Sequence, residues 1–336
     1  MIEILPLLLF FIICISLLLG YPVAFTLGGV SILFAMIASL FGLFDLTLLE
    51  TMPNRLFGIM TNSTLVAVPL FIFMGVTLEK SKIAELLLTS MSKLFSRYKS
   101  GLGISILFVG TMLAASTGIV GATVIAMGLI SLPAMLKRGY SQKISTGLIA
   151  ATGTLGQIIP PSIALVILGD VLATAYQQSQ LKIGNYVAKS LSVGDLFMAA
   201  IVPGIILVLI YGLYFVIALR KQELNTFSES KDDNLFKLIS TLVPPFFLIF
   251  AVLGSIILGV ASPTEAAGIG ALGAILIALF HKKLTIQILK ETTKQSAFIS
   301  SMVFLILIGA SIFSLVFRGL GAVSYTHLRA HETRYH

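Results

Sequence analysis

Long apolar runs, each ended by a short polar break, occupy positions 2–19, 23–42, 64–79, 143–170, 196–219, 238–258, 260–280 and 297–317. A helix needs about 20 residues to cross a hydrocarbon layer roughly 30 Å thick, so each run predicts a membrane-spanning helix. Three stretches between them have another rhythm. At 45–60, 81–98 and 284–295, apolar residues recur at helical spacing with Lys, Glu or Asn between, which predicts arms lying along the membrane interface. The run at 101–136 fits neither class. It is interrupted at Ala114-Ala115-Ser116-Thr117-Gly118, leaving halves of about 15 residues that are each only about 22 Å long as helices. Neither half crosses, so the pattern predicts a re-entrant helical hairpin within an all-α polytopic membrane protein.

Composition supports that class: 57% of residues are hydrophobic and 11% charged, whereas soluble domains carry about 25% charged residues. The net charge of +8 raises the question of nucleic acid, but the basic residues are spread among short loops, and positive-inside topology in a lipid bilayer is the plainer cause. With the N-terminus outside and the hairpin returning to its own side, one face collects sixteen Lys and Arg residues, in groups at 80–99, 137–143, 220–237 and 282–294. The other face receives four, Arg55, Lys182, Lys189 and Arg318. A single crossing at 101–136 would move every later loop to the wrong side, so the asymmetry favours the hairpin. The first run lacks a basic start and a small-residue cleavage site, and it reads as a retained helix. Cys14 is the sole cysteine, which excludes an intrachain disulfide and cysteine–metal chemistry.

The charged, Ser/Asn-rich stretch 220–237 reads as a cytoplasmic linker between halves that resemble each other. Gly20-Tyr21-Pro22 followed by Gly28-Gly29 recurs as Gly259 to Pro263 followed by Gly268 and Gly270. Leu46-Thr47 recurs as Leu284-Thr285, and the segment from Phe71 to Gly75 recurs as Leu305 to Gly309. Five crossings precede the linker, so the second copy starts on the opposite side: an inverted repeat, typical of secondary transporters. The organisation expected is a first repeat at 1–219, containing the hairpin 101–136 and a broken helix 143–170; the linker 220–237; a partial second repeat at 238–322; and a tail at 323–336.

Unwound backbone at membrane depth is tolerated only where protein or a water-filled cavity satisfies it, so helix breaks are candidate binding sites. The hairpin tip offers Ser116, Thr117, Gly118 and Gly121, where small residues allow a tight turn and hydroxyls and free carbonyls suit a hard cation. The following span offers Thr152, Thr154, Gly156, Pro160, Pro161 and Ser162. Its two prolines remove two backbone donors, and the half-helix starting near Ser162 aims its positive end at an anion. Against this stands close helix packing, the commoner role of any one small residue in a membrane helix. Asp170, near the end of its run, reads as interfacial. In the second half, Ser262, Thr264 and Glu265 admit two readings: an ionisable residue at depth, or a helix start with Ser262 as cap and Glu265 three residues on. No His-carboxylate constellation and no Walker-type phosphate loop occurs within the runs, so catalysis and ATP are not expected and energy must come from an ion gradient or a partner.

Three motifs carry a family resemblance: Leu132 to Tyr140 (LPAMLKRGY), Gly153 to Ser162 (GTLGQIIPPS) and Ser262 to Gly268 (SPTEAAG). From about residue 5 to about 322 the chain resembles the large membrane subunit of tripartite ATP-independent periplasmic (TRAP) transporters. The resemblance implies a bacterial inner-membrane carrier of elevator type with its N-terminus in the periplasm. It also implies sodium as the coupling ion, with no other metal or cofactor. The implied partners are a small membrane subunit and a periplasmic binding protein that delivers an organic acid anion. It places sodium and substrate around Ser116 to Gly121 and Thr152 to Ser162, with a second pair of sites in the second repeat. There the chain departs from the pattern: a second hairpin and broken helix are expected after Arg318, and the polar, His-rich stretch 323–336 follows instead. That tail reads as non-native sequence, or alternatively as a metal-binding tail. Transport is accordingly expected of the intact parent rather than of this chain. Two other classes remain open, a non-transporting scaffold or assembly subunit and a membrane-embedded hydrolase.

Overall fold

The computed structural model describes residues 4–95, 98–117, 120–185, 190–220 and 235–322. Gly118 at the hairpin tip, Arg97, Lys189, most of the linker and the whole tail 323–336, with His327, His331 and His336, lie outside them. Helix is the rule among the described residues, which contain no strand. The order is α1 (Leu5–Leu18), α2 (Val23–Phe25) joined through a π turn (Thr26–Val30) to α3 (Ser31–Leu40), α4 (Met52–Met60), α5 (Ala67–Lys80) and α6 (Ile83–Leu94). Then come α7 (Gly101–Thr117), α8 (Val120–Lys137), α9 (Gln142–Thr154), α10 (Ile163–Lys182) and α11 (Val193–Leu219). The described chain closes with α12 (Leu235–Ile257), α13 (Pro263–Phe280) and α14 (Ile286–Phe317).

The environment of these helices is apolar on both sides. On α11, Val202, Leu209 and Leu213 are all more than 60% exposed, an arrangement that costs free energy in water and none in lipid. Among the described residues, four helices are long and apolar enough to cross a membrane: Val23–Leu40, Val193–Leu219, Pro263–Phe280 and Ile286–Gly321. A fifth candidate is broken, Leu46–Met60 with Thr64–Lys80, bent by 58°.

Two compact units form, divided between Asn62 and Ser63 and again inside α14. The first unites residues up to Asn62 with those from Phe298 onward, around a core that includes Leu9, Ile13, Ala35, Phe44 and Val316. The second spans Ser63–Ala297 and includes the hairpin and the interrupted helix. Each unit takes helices from before and after the stretch 220–237. In the first, a Cβ at Gly309 of α14 would overlap the Ala24 carbonyl oxygen, and one at Gly28 would meet Ile312 at 3.4 Å. In the second, Gly270 of α13 stands in the same way against Met74 of α5, whose sulfur would be 2.7 Å from a Cβ. The expected repeat pairs Gly28 with Gly268, but a Cβ at Gly268 would meet nothing within 4 Å, so the two close approaches are made by different residues. Positive φ marks helix ends at Gly20 (φ 87°), Gly42 (φ 69°), Gly259 (φ 69°) and Lys282 (φ 53°).

Three sequence expectations change. The arm expected at 284–295 and the run at 297–317 are one helix of 32 residues, because nothing between Ile286 and Gly309 interrupts hydrogen bonding. The matching segment of the first half does bend, at residues 61–63, and it is four residues longer between the equated motifs. The run 143–170 does not end at Asp170; α10 continues to Lys182 through a polar Tyr-Gln-Gln-Ser-Gln turn, leaving Asp170 well inside the helix. Helix α12 begins at Leu235, inside the stretch read as linker.

Candidate functional site

The hairpin closes on itself. Gly110 lies seven residues before the end of α7 at Thr117, and Met127 lies seven residues after the start of α8 at Val120. A Cβ on Gly110 would stand 3.4 Å from the Met127 terminal methyl, whereas a straight helix would separate the two residues by about 25 Å. The far ends also meet. Tyr140, just after α8, donates its hydroxyl proton to the carbonyl of Lys99, just before α7, at 2.6 Å. The same oxygen accepts the Gly103 amide N–H, and the ring stacks on Phe215 of α11 with centroids 6.0 Å apart. Burial pushes the Tyr140 phenol above its ordinary value, which the Arg138 charge and the Gly103 amide only partly offset. The chain therefore leaves the hairpin where it entered.

The helix after the hairpin is broken. Ser141 caps α9, whose regular bonding stops at Thr154; a single 3-10 turn, Leu155–Gln157, follows, and the prolines 160 and 161, joined by a cis peptide, carry the chain to the start of α10. Ser162 is fully buried. It donates to the Gln157 carbonyl at 2.9 Å and accepts the Leu165 amide at 3.4 Å, so it is the N-cap of α10.

Two glycines seat the hairpin on this break. At Gly110 of α7, a Cβ would stand 3.1 Å from the Thr152 Cβ. At Gly153 of α9, a Cβ would overlap a methyl of Val124 of α8. Helix α7 also lies along the 3-10 turn. Small residues here permit near-backbone contact between three helical segments, so packing is one role of the motif beyond question.

Of the residues anticipated from sequence, Thr152 is fully buried and bonds the Leu148 and Ile149 carbonyls at 2.8 and 3.0 Å. Thr154 ends α9 exposed, its hydroxyl bonded to the Ala151 carbonyl at 2.7 Å. Gly156, Pro160 and Pro161 are buried in the break. Gly121 opens α8 beside unoccupied space. Ser116 and Thr117 close α7, and their side chains are outside the described part. A hydroxyl that gives its proton to a helix carbonyl keeps its lone pairs for a cation. From Gly101 to Gly169 there is no Asp or Glu, so these segments themselves offer a cation only neutral oxygens.

In the second half Glu265 takes part in a helix start. Its carboxylate accepts both the Ser262 amide and the Ser262 hydroxyl at 2.8 Å, and the Glu265 amide returns a bond to the Ser262 oxygen at 3.3 Å. This is a reciprocal helix-start box. Thr264 donates to the Ser63 carbonyl at 2.8 Å. The described residues contain no cluster of three or more His, Cys, Asp or Glu able to hold a metal. Sequence reasoning passed over Gly110, Val124, Met127 and the Tyr140 clasp. The Lys-Arg-Gly-Tyr turn held the signal for Tyr140, since an aromatic hydroxyl beside two cations at a hairpin mouth has a use for its polar end.

Comparison with known proteins agrees with this architecture. The family described as "Tripartite ATP-independent periplasmic transporter, DctM component" matches residues 9–325. The C4-dicarboxylate TRAP transporter large permease DctM of Rhodobacter capsulatus is 29% identical over 313 residues, covering 92% of this chain and 69% of that protein. The ectoine TRAP transporter large permease TeaC of Halomonas elongata is 29% identical over 302 residues, 89% of this chain and 66% of that protein. The ectoine/5-hydroxyectoine large permease UehC of Ruegeria pomeroyi is 29% identical over 310 residues, 92% and 67%. The chain thus spans about two thirds of the length of these relatives, which are permeases and not enzymes. Helices of this length and polarity, a hairpin seated on an interrupted helix and a family match over nearly the whole chain lead to one conclusion: this is a multi-pass membrane protein belonging to the DctM family of TRAP transporter large permeases.

Proposed function

We propose that the whole permease to which this sequence belongs imports a small organic acid anion by sodium-coupled secondary transport, working with a small membrane subunit and a periplasmic binding protein. The observation that carries the proposal is the seating of α7 and α8 on the break after Thr154, through Gly110 and Gly153. This juxtaposition gathers hydroxyl and carbonyl oxygens without any acidic side chain, which suits a sodium ion. It also presents the N-terminal end of α10, capped by Ser162, whose positive end suits a carboxylate. One relative is named for C4-dicarboxylates and two for ectoines, and the former motivates the choice of an organic acid. Residues Ser116 to Gly121 and Thr152 to Ser162 form the first pair of sites in this reading, and the hairpin with its broken helix is the part that moves across the bilayer. The N-terminus is periplasmic in a bacterial inner membrane, which leaves the basic groups around Lys99 and Lys137 in the cytoplasm.

Radioactive sodium binding to the purified chain tests the site directly. Saturable binding displaced by unlabelled sodium and not by potassium is expected, with Thr154→Val weakening it about tenfold, a loss near 1.4 kcal/mol. Unchanged binding by that variant removes Thr154 from the site. In proteoliposomes holding the whole permease and both partners, uptake is expected to stop when choline replaces sodium.

A further inference from the structure

A cavity lies at the mouth of the hairpin, apart from the helix break. Its volume is about 470 Å³, many times the roughly 30 Å³ share of one water molecule. One wall is a single face of α6, since Glu85, Leu88, Thr89, Ser92 and Lys93 follow a helical spacing of three and four. The opposite wall is a face of α8, Ile130, Ala134 and Lys137, ending in Arg138, with Leu102 of α7 between them. Arg138 reaches across toward the Ser92 hydroxyl at 3.4 Å and so ties the two walls at one end.

The lining has two chemistries. Leu88 and Leu102 are buried, and with Ile130 and Ala134 they make an apolar trough. At its head stand three cations, Lys93, Lys137 and Arg138, while Glu85 lies two helical turns back along α6 from Lys93. A soluble anion would use the cations and leave the trough wet. A phosphodiester carrying acyl chains uses both. The position agrees: α6 is amphipathic, and the cavity opens beside the basic stretch 80–99, where a polybasic membrane face attracts anionic lipid. We infer that this cavity is a binding site for an anionic phospholipid, its phosphate held by Lys93, Lys137 and Arg138 and an acyl chain laid along Leu88, Leu102, Ile130 and Ala134.

The test uses the purified, delipidated chain and native mass spectrometry, with phosphatidylglycerol against phosphatidylcholine of the same acyl chains. Retention of phosphatidylglycerol over phosphatidylcholine is expected. The double variant Lys93→Glu/Lys137→Glu should lower that retention at least about tenfold, and Ala134→Phe, which fills the trough and leaves the charges, should lower it as well. Lys143→Glu, a basic residue on the same face outside the cavity, should keep it. Glycerol phosphate at equal concentration separates the sources of the phosphate. Displacement by it, with Ala134→Phe without effect, would make this a free-anion site and overturn the lipid assignment. Equal retention by wild type and the charge-reversed variant would overturn it too. Photo-crosslinking of wild type with a diazirine-bearing phosphatidylglycerol gives a readout independent of any variant's folding. Adducts within 88–93 and 130–138 are expected, and adducts confined to other helices would refute the site.

Discussion

Substituting Gly153 by alanine tests how closely the hairpin sits on the interrupted helix. Two effects oppose each other. Alanine in a helix is favoured over glycine by about 0.8–1 kcal/mol. The new methyl, however, would overlap a methyl of Val124 and stand 3.4 Å from the Val124 Cα. Valine is stiff about χ1, so relief requires the hairpin to move off α9, an overpacking cost of about 1–3 kcal/mol. The net expectation is a destabilisation of about 1 kcal/mol. The stronger signature is coupling: Val124→Ala removes the opposing methyl, so the double variant should recover much of the loss, with an interaction term of about 1–2 kcal/mol. Midpoints of thermal loss of monodisperse protein, read by size exclusion at one heating protocol and in one detergent, give the comparison, because membrane-protein unfolding is commonly irreversible. If Gly153→Ala raises the midpoint and the two substitutions act additively, the helices do not touch here and the seating argument fails.

Three further outcomes follow from the geometry. Tyr140→Phe removes a hydroxyl that bonds the Lys99 carbonyl and the Gly103 amide, and it should cost about 1–3 kcal/mol in the same thermal assay; a neutral result would mean that the clasp does not hold the mouth shut. Because burial disfavours the phenolate of Tyr140, the difference between wild-type and Tyr140→Phe tyrosinate absorbance should emerge only above the ordinary tyrosine range near pH 10, and an earlier difference would place the ring in water. Glu265→Gln should leave sodium binding and thermal midpoint unchanged, since glutamine also completes the helix-start box; a loss of binding would show a second role for that carboxylate.

The hairpin and the broken helix after it were legible because each is written in local sequence, small residues at 114–118 and a cap beside a double proline, whereas Ser262 and Glu265 at their fixed spacing left two readings open. Prolines alone were a poor guide. Pro244 and Pro245 sit inside α12 without ending it, whereas the pair at 160 and 161 has Gly153 and Gly156 before it and the capping Ser162 after it. A restart signal, and not merely lost donors, separates the two cases. The charged face of 284–295 suggested an interfacial arm, because amphipathic spacing describes a helix and says nothing of where that helix stops. The glycines that seat helices on each other were visible as motifs, but their partners Val124, Met127 and Ala24 lie far away in sequence and carry no mark of their role. The four-residue difference between the two copies was likewise present as drifting spacing.

The fold-back of 101–137 bears most of this account, and a distance across its mouth tests it. Spin labels on Lys99→Cys and Lys143→Cys, in a Cys14→Ser background, can be read by pulsed electron resonance in nanodiscs. The structure predicts a separation well under half of the roughly 55 Å that 37 residues of straight helix would impose, since Tyr140 and Lys99 share a hydrogen bond. A distribution centred near the longer value would contradict the hairpin and the site built upon it.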